Sequence, residues 1–370
     1  MNQESTVFPL YFKLTQILLG LIAFFFILFI GRDIMVPLVF ATLFAILLNP
    51  LVNYLSRFRI NRVISILIVV LFSLFFVSAL AYFIGSQISR FSESFPQLQD
   101  KLTLLFNNLV EWLSGFLNMD QGKIKDWFTK TKNEGMNNSG ALISATLGTL
   151  SSVVISVFLL PVYVFFILLY KPLILEFISE LFKWNKQAVV AEVLVETKGL
   201  IQNYLVGLLL EAAIVATLNS IGLMIIGINY AILLGIVGAL LNVIPYIGGL
   251  IAISLPILVA LATKTPISAL WVIVVYLIVQ FIDNNFLVPK VVASKVKINA
   301  LVSIIVVLIG GALWGVPGMF LSIPMTAIIK VIFDRVEPLK PFGLLLGDNL
   351  PETGKVIFRF KKPASKKTEP

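Results

Sequence analysis

The sequence predicts an all-α polytopic membrane protein with about eight hydrophobic segments, two of them broken by Pro and Gly. Three observations carry that prediction. Of the 370 residues, 59% are hydrophobic and 13% are charged, at a mean hydropathy of +1.00, whereas soluble domains carry roughly 25% charge. Apolar runs of the roughly 20 residues that cross a 30 Å hydrocarbon core as a helix recur along the whole chain. Two of the runs are much longer than that and resemble each other, each with a Pro/Gly interruption near its middle.

The first run, Leu14 to Gly31, has Thr15 and Gln16 as its polar members and closes on Arg32 and Asp33. Phe24, Phe25 and Phe26 stand where a signal peptide would need small residues for cleavage, so the run reads as an uncleaved anchor. The second, Ile34 to Leu55, stops at the basic loop Arg57, Arg59, Arg62, and the third runs from Val63 to Gly85. Residues 85–141 are a polar stretch in which Leu98, Leu102, Leu105, Leu109, Trp112 and Phe116 recur at helical spacing. That pattern predicts two or three amphipathic helices on the membrane surface, as an extracytoplasmic insert. The fourth run covers Leu142 to Tyr170, and residues 171–198 read as a cytoplasmic pair of surface helices. The fifth spans Leu200 to Ile228 and the seventh Ile267 to Val288. Residues 334–370 form a basic cytoplasmic tail ending in Lys361, Lys362, Lys366 and Lys367.

Runs six and eight, Tyr230 to Thr263 and Ile298 to Ile332, would be roughly 50 Å long as straight helices. Each carries Gly-Ala-Leu, a Pro/Gly break and Ser-apolar-Pro: Gly238-Ala239-Leu240, Pro245 to Gly249 and Ser254-Leu255-Pro256 in one; Gly311-Ala312-Leu313, Gly315 to Gly318 and Ser322-Ile323-Pro324 in the other. Pro removes an amide donor and Gly loosens the helix, so each run splits into two half-helices. Irregular backbone in hydrocarbon survives where it is buried in protein or lines a wet cavity. Paired interruptions of this kind mark a transport core between inverted repeats, here residues 199–333. If both runs are re-entrant hairpins and the N-terminus is inside, 20 Lys/Arg fall inside and 8 outside; single crossings give 18 and 10. The hairpin arrangement fits the positive-inside rule better, and both place the termini in the cytoplasm. The net charge of +9 is thereby an orientation signal, with no nucleic-acid partner.

Within the spans only Glu211 and Asp283 are acidic. A charge at a helix centre costs about 2.5 to 3.5 kcal/mol on insertion scales, so each needs a partner, a cavity or an ion. Glu211, with Asn203 and Asn219 at eight-residue spacing on roughly one helix face, reads either as a hydrogen-bonded carboxyl between helices or as a binder of protons or cations. Asp283 reads either as an interfacial residue that pairs with Lys290 or caps a broken helix, or as the site of a coupling proton or a transient Na⁺. Asn242, Asn284 and Asn285 supply hard, neutral oxygens for Na⁺ or a polyol. Pro245, Tyr246, Gly248, Gly249, Pro289, Gly315, Pro317, Gly318 and Pro324 shape and gate the hairpin tips. With no Cys and no His, the chain lacks a thiol nucleophile, a Cys/His metal centre and a Ser-His-Asp triad. Gly354-Lys355 fails as a P-loop, because Asn349 and Val356 hold the positions of the first Gly and the Ser/Thr. An enzyme, a cofactor and a resident metal are not expected.

Pro245-Tyr246-Ile247-Gly248, the segment from Asp283 to Lys290, and Gly315-Val316-Pro317-Gly318-Met319 through Pro324 resemble the AI-2E (autoinducer-2 exporter) family of bacterial membrane proteins, and the run pattern extends the likeness over nearly the whole chain. The resemblance implies a multi-pass protein of the bacterial inner membrane that forms homo-oligomers, pentamers among them. It also implies export of a small hydrophilic solute of the autoinducer-2 kind by alternating access, coupled to H⁺ or Na⁺. Na⁺(Li⁺)/H⁺ antiport is the alternative, and an oligomeric channel or scaffold a further one. The chain departs from the family at Gly248-Gly249, where members commonly have Gly-Pro, and at Val291 to Ser294 and Ile298-Asn299-Ala300.

Overall fold

The computed structural model describes residues 9–117, 159–182, 187–244, 248–293 and 298–348, and among them every regular element is helical. Helix α1 (Leu10–Ile30) and α2 (Arg32–Arg57) meet at Gly31, and α3 runs from Arg62 to Leu117. Residues 159–169 form α4, which bends by 63° into α5 (Lys171–Glu180). Helix α6 spans Gln187–Ile226, followed by α7 (Ala231–Asn242), α8 (Gly248–Thr263) and α9 (Pro266–Ile282). Helix α9 continues as a π-helix over Asp283–Ala293. Helix α10 (Ala300–Arg335) is interrupted at Gly315, and a 3₁₀ turn at Glu337–Leu339 leads into α11 (Lys340–Leu346).

Two elements are longer than the sequence predicts. Helix α3 does not end near Gly85 to give separate surface helices; it continues unbroken through Pro96 to residue 117. At 1.5 Å per residue its 56 residues reach about 84 Å, far more than a bilayer core. Gly85 has open space around it, so nothing there forces a turn. Likewise the second half of the expected surface pair is the first part of α6. The remaining part of the polar insert, and residues 142–158 of run four, lie outside the described residues.

Helix α6 is the centre of the bundle. Its Ile201, Tyr204, Leu205 and Leu208 pack with Leu43 of α2 and Leu321 of α10, and further along Val215 packs with Ala239 and Val279. A third cluster joins Leu223 to α7, α8 and α9 through Leu234, Ala252, Val259 and Val272. Helices α2, α3 and α4 close a fourth around Ala45, Ile66, Val70 and Val164. The outer faces stay apolar: Phe72, Phe75, Phe76 and nearly every large residue of α1 are exposed, the surface that lipid chains cover.

Both overlong runs turn back on themselves. In the first, the chain enters beside Gly227 and leaves at Lys264, and a Cβ on Gly227 would stand 3.5 Å from Lys264 Nζ. Its arms are about 18 and 24 Å long, too short for a crossing each. In the second, residues eight apart would be about 12 Å apart on a straight helix, yet Gly310 and Gly318 touch through their backbones and Gly311 stacks on Met319. Gly315 makes the turn at φ 64° and ψ −144°, a left-handed conformation that glycine adopts without the Cβ penalty. At the foot, Asn299 caps the first arm by accepting from Val302 N. Its own Nδ2 donates to the carbonyls of Leu345 and Gly347, which ties α11 to the entrance of this hairpin.

Candidate functional site

The first hairpin, α6 and α9 enclose a cavity of about 10 Å³ lined by Asn219, Asn242, Tyr276 and Gln280 among Val215, Gly238, Ala252 and Val279. That is the space one water molecule fills. The four polar side chains arrive from three elements. Tyr276 and Gln280 are one turn apart on α9, Asn219 is on the inner face of α6, and Asn242 is the last residue of α7. Glycines let them converge: a Cβ on Gly238 would stand 2.8 Å from the Tyr276 hydroxyl, and one on Gly249 would lie 3.3 Å from Gln280 Oε1 and 3.5 Å from Asn242 Oδ1. Gly248 is equally constrained, since a Cβ there would overlap the carbonyl of Leu241.

Asn242 links this cavity to Asp283. Its Nδ2 donates to Asp283 Oδ2 at 2.8 Å. Asp283 is 2% exposed, and its other oxygen, Oδ1, is buried without a partner. The Asn219 Oδ1 and Tyr276 hydroxyl are also buried and unpartnered. Buried polar atoms are almost always paired, and these three are exceptions among the described residues. Asp283 stands where α9 changes to the π-helix, an irregularity found mostly at functional sites. Pro289 lies inside that π-helix and contributes no amide hydrogen.

Glu211 is buried on α6 at 7% exposure and, among the described residues, makes no hydrogen bond. Asn203 is exposed instead. Eight residues turn an α-helix about 80° past two full turns, so Asn203 and Asn219 end up nearly opposite. Asp283 pairs with Asn242 and not with Lys290, whose ammonium lies 5.8 Å from the Phe286 ring centroid. Asn284 sits at the rim, accepting from Gln280 Nε2 at 3.3 Å. Asn285 is exposed and spends its amide on the Phe281 carbonyl at 2.8 Å, because the wider π turn rotates it off the cavity face. Pro245 and Tyr246 lie outside the described residues.

At the second tip, Gly318 is buried against Gly310 and Trp314. Ser322 Oγ donates to Gly318 O at 2.6 Å and Thr326 Oγ1 to Ser322 O at 2.7 Å, which occupies the hydroxyls around buried Pro324. Pro317 follows the Gly315 turn. A Cβ on Gly315 would meet nothing within 4 Å. Trp314 donates from Nε1 to the carbonyl of Leu28 at 2.9 Å, holding α1 against this tip. Sequence reasoning passed over Tyr276, Gln280 and Trp314. The signal for the first two was present, since Tyr276, Gln280 and Asn284 form a polar stripe at four-residue spacing through an otherwise apolar run.

Residues 18–337 match the family described as AI-2E family transporters. The chain belongs to that family. Relatives include YhhT of Escherichia coli K12, named as a candidate transport protein, 27% identical over 323 residues that cover 87% of this chain and 90% of YhhT. YueF of Bacillus subtilis, of similar designation, is 27% identical over 85% of this chain and 87% of its own length. The AI-2 transport protein TqsA of Escherichia coli is 24% identical over 86% and 90%. The protein is a multi-pass membrane transporter or permease of the AI-2E family, whose named relatives are transport proteins and not enzymes.

Proposed function

We propose that the protein is a secondary transporter of the bacterial inner membrane, with cytoplasmic termini, that exports a small hydrophilic solute of the autoinducer-2 kind by alternating access. The two hairpins re-enter the membrane from opposite faces, and the path runs between their tips. Asp283 and Glu211 carry the coupling H⁺ or Na⁺, and Asn242, Asn219, Tyr276 and Gln280 supply neutral oxygens beside them. The protein works as a homo-oligomer, a pentamer in this reading.

What supports the reading is the oxygen-lined cavity joined to Asp283 through Asn242. Its size favours a second reading at this point. Pockets for organic ligands measure roughly 300–1,000 Å³, while about 10 Å³ holds a bare cation or a water. A Na⁺(Li⁺)/H⁺ antiporter would need no larger chamber, and solute export would require the hairpins to part.

One experiment addresses both. Purified protein in proteoliposomes with an internal pH dye is given Na⁺ or Li⁺. Proton movement without organic solute, lost in Asp283→Asn with folding and assembly intact, supports cation/proton antiport. Proton movement that needs an added solute, lost in the same variant, supports coupled export. Wild-type activity in Asp283→Asn in either format overturns the role given to Asp283.

A further inference from the structure

The end of the bundle that carries the basic loop holds a second constellation, separate from the hairpins. Arg62 opens α3 and donates from Nη2 to the Leu168 carbonyl of α4 at 3.0 Å. The bend between α4 and α5 then swings Lys171 against α2, where its Nζ donates to Asn49 Oδ1 at 3.0 Å. Lys171 is half-buried, and burial first, then the charges of Lys198 on α6 and Arg62, holds its ammonium below the ordinary lysine pKa. Among the described residues no carboxylate lies within 4 Å of these three cations, although Lys330 and Lys340 each have one and Arg335 has two. Three like charges gathered without a counter-ion are costly at a membrane boundary, where the effective dielectric is low.

Beside Lys171 stands a buried polar atom with no partner. Asn49 is 4% exposed, and its Nδ2 is unpaired while its other head atom accepts from Lys171. Ser65, one helical turn after Arg62, is fully buried with a free Oγ, and Thr197, next to Lys198, has an unpartnered Oγ1. An amide and two hydroxyls are all able to donate. Three cations and the spare Asn49 donor beside Lys171 ask for an anion with several acceptor oxygens. The surface around this end of the bundle is apolar: Leu51 and Tyr54 on α2, Phe58 just after it, and Ile64, Leu67 and Ile68 on α3 are exposed.

We infer that Arg62, Lys171, Lys198 and Asn49 bind the phosphate headgroup of an anionic phospholipid, whose acyl chains lie along the exposed faces of α2 and α3. Basic pockets between helices on the cytoplasmic side bind such headgroups in membrane proteins generally. Bound there, the lipid clamps the loop between α2 and α3 to the α4–α5 bend and to α6, the helix against which the first hairpin packs.

The test is native mass spectrometry of the purified full-length protein titrated with phosphatidylglycerol or phosphatidylcholine. Wild type retains phosphatidylglycerol in preference to phosphatidylcholine. Each basic residue near the surface is worth about fivefold, so Arg62→Gln/Lys171→Gln/Lys198→Gln weakens retention about a hundredfold. Asn49→Asp, which sets a carboxylate beside Lys171 without removing a cation, abolishes the preference too and guards against misfolding of the triple variant. Arg90→Gln/Lys101→Gln/Lys264→Gln, an equal charge loss at the opposite end, leaves retention unchanged. Retention by both site variants, or equal weakening by the distant one, overturns the inference. Displacement of the lipid by millimolar inorganic phosphate also overturns it, in favour of a free phosphate site.

Discussion

Gly310→Ala separates a folded-back second hairpin from a straight crossing by the sign of its effect. In an uninterrupted helix the change removes backbone freedom from the unfolded chain and stabilises by about 1 kcal/mol. In the hairpin a Cβ at 310 would overlap the Gly318 carbonyl oxygen and Ser322 Oγ. One of these is backbone and cannot rotate away, and the other is held by its bond to Gly318. The arms would have to part by about 1 Å to restore van der Waals contact, and overpacking of that order costs 1–3 kcal/mol. The two geometries therefore differ by about 2–4 kcal/mol, with opposite signs. Gly85→Ala, in open helix surface, serves as the control that stabilises in either case. Thermal unfolding in detergent, followed by size-exclusion of the surviving fraction, reads both variants against wild type. A Gly310→Ala protein that melts at or above wild type would refute the fold-back.

Two further predictions concern the tips and the cavity. Tyr276→Phe deletes a buried hydroxyl that has no partner, so in sodium-free buffer it raises stability by about 1–3 kcal/mol, and the protein loses whatever stabilisation Na⁺ or Li⁺ gives to wild type in the same melting assay. Trp314→Phe removes the bond to the Leu28 carbonyl at a cost of about 0.6 kcal/mol, typical of hydrogen bonds inside membranes, and hydrogen exchange over residues 10–31 speeds up while α6 is unchanged.

The apolar runs and their two interruptions were legible because the signals are local: twenty residues of apolar side chain, or a Pro and a Gly a few positions apart, need no knowledge of neighbours. Helix ends were less legible. Neither Gly85 nor Pro96 stops α3, since a lone Gly or Pro weakens a helix without supplying the alternative hydrogen bonds that end one. Asp283 and Asn242 were identified separately as polar residues in apolar surroundings, but their bond joins α7 to the π-helix across 41 positions, and spacing carries no such information. Asn285 was misplaced because the π-helix has a wider turn than the α-helix from which faces are counted. Asn203 was misplaced for a simpler reason, that eight residues are not a whole number of turns.

Helix α3 meets the foot of the first hairpin where Phe91 packs edge-on against the ring of Tyr230 at 5.4 Å and the Tyr230 hydroxyl donates to the Arg90 carbonyl. About 44 Å of helix lies before that contact and about 39 Å after it. The contact is thus the fulcrum of a nearly balanced lever. A sideways push on the far end would move the near end, which packs on α2 and α4, the opposite way. Such a lever would let force on the far arm of α3 reach the bundle at a distance from both hairpins.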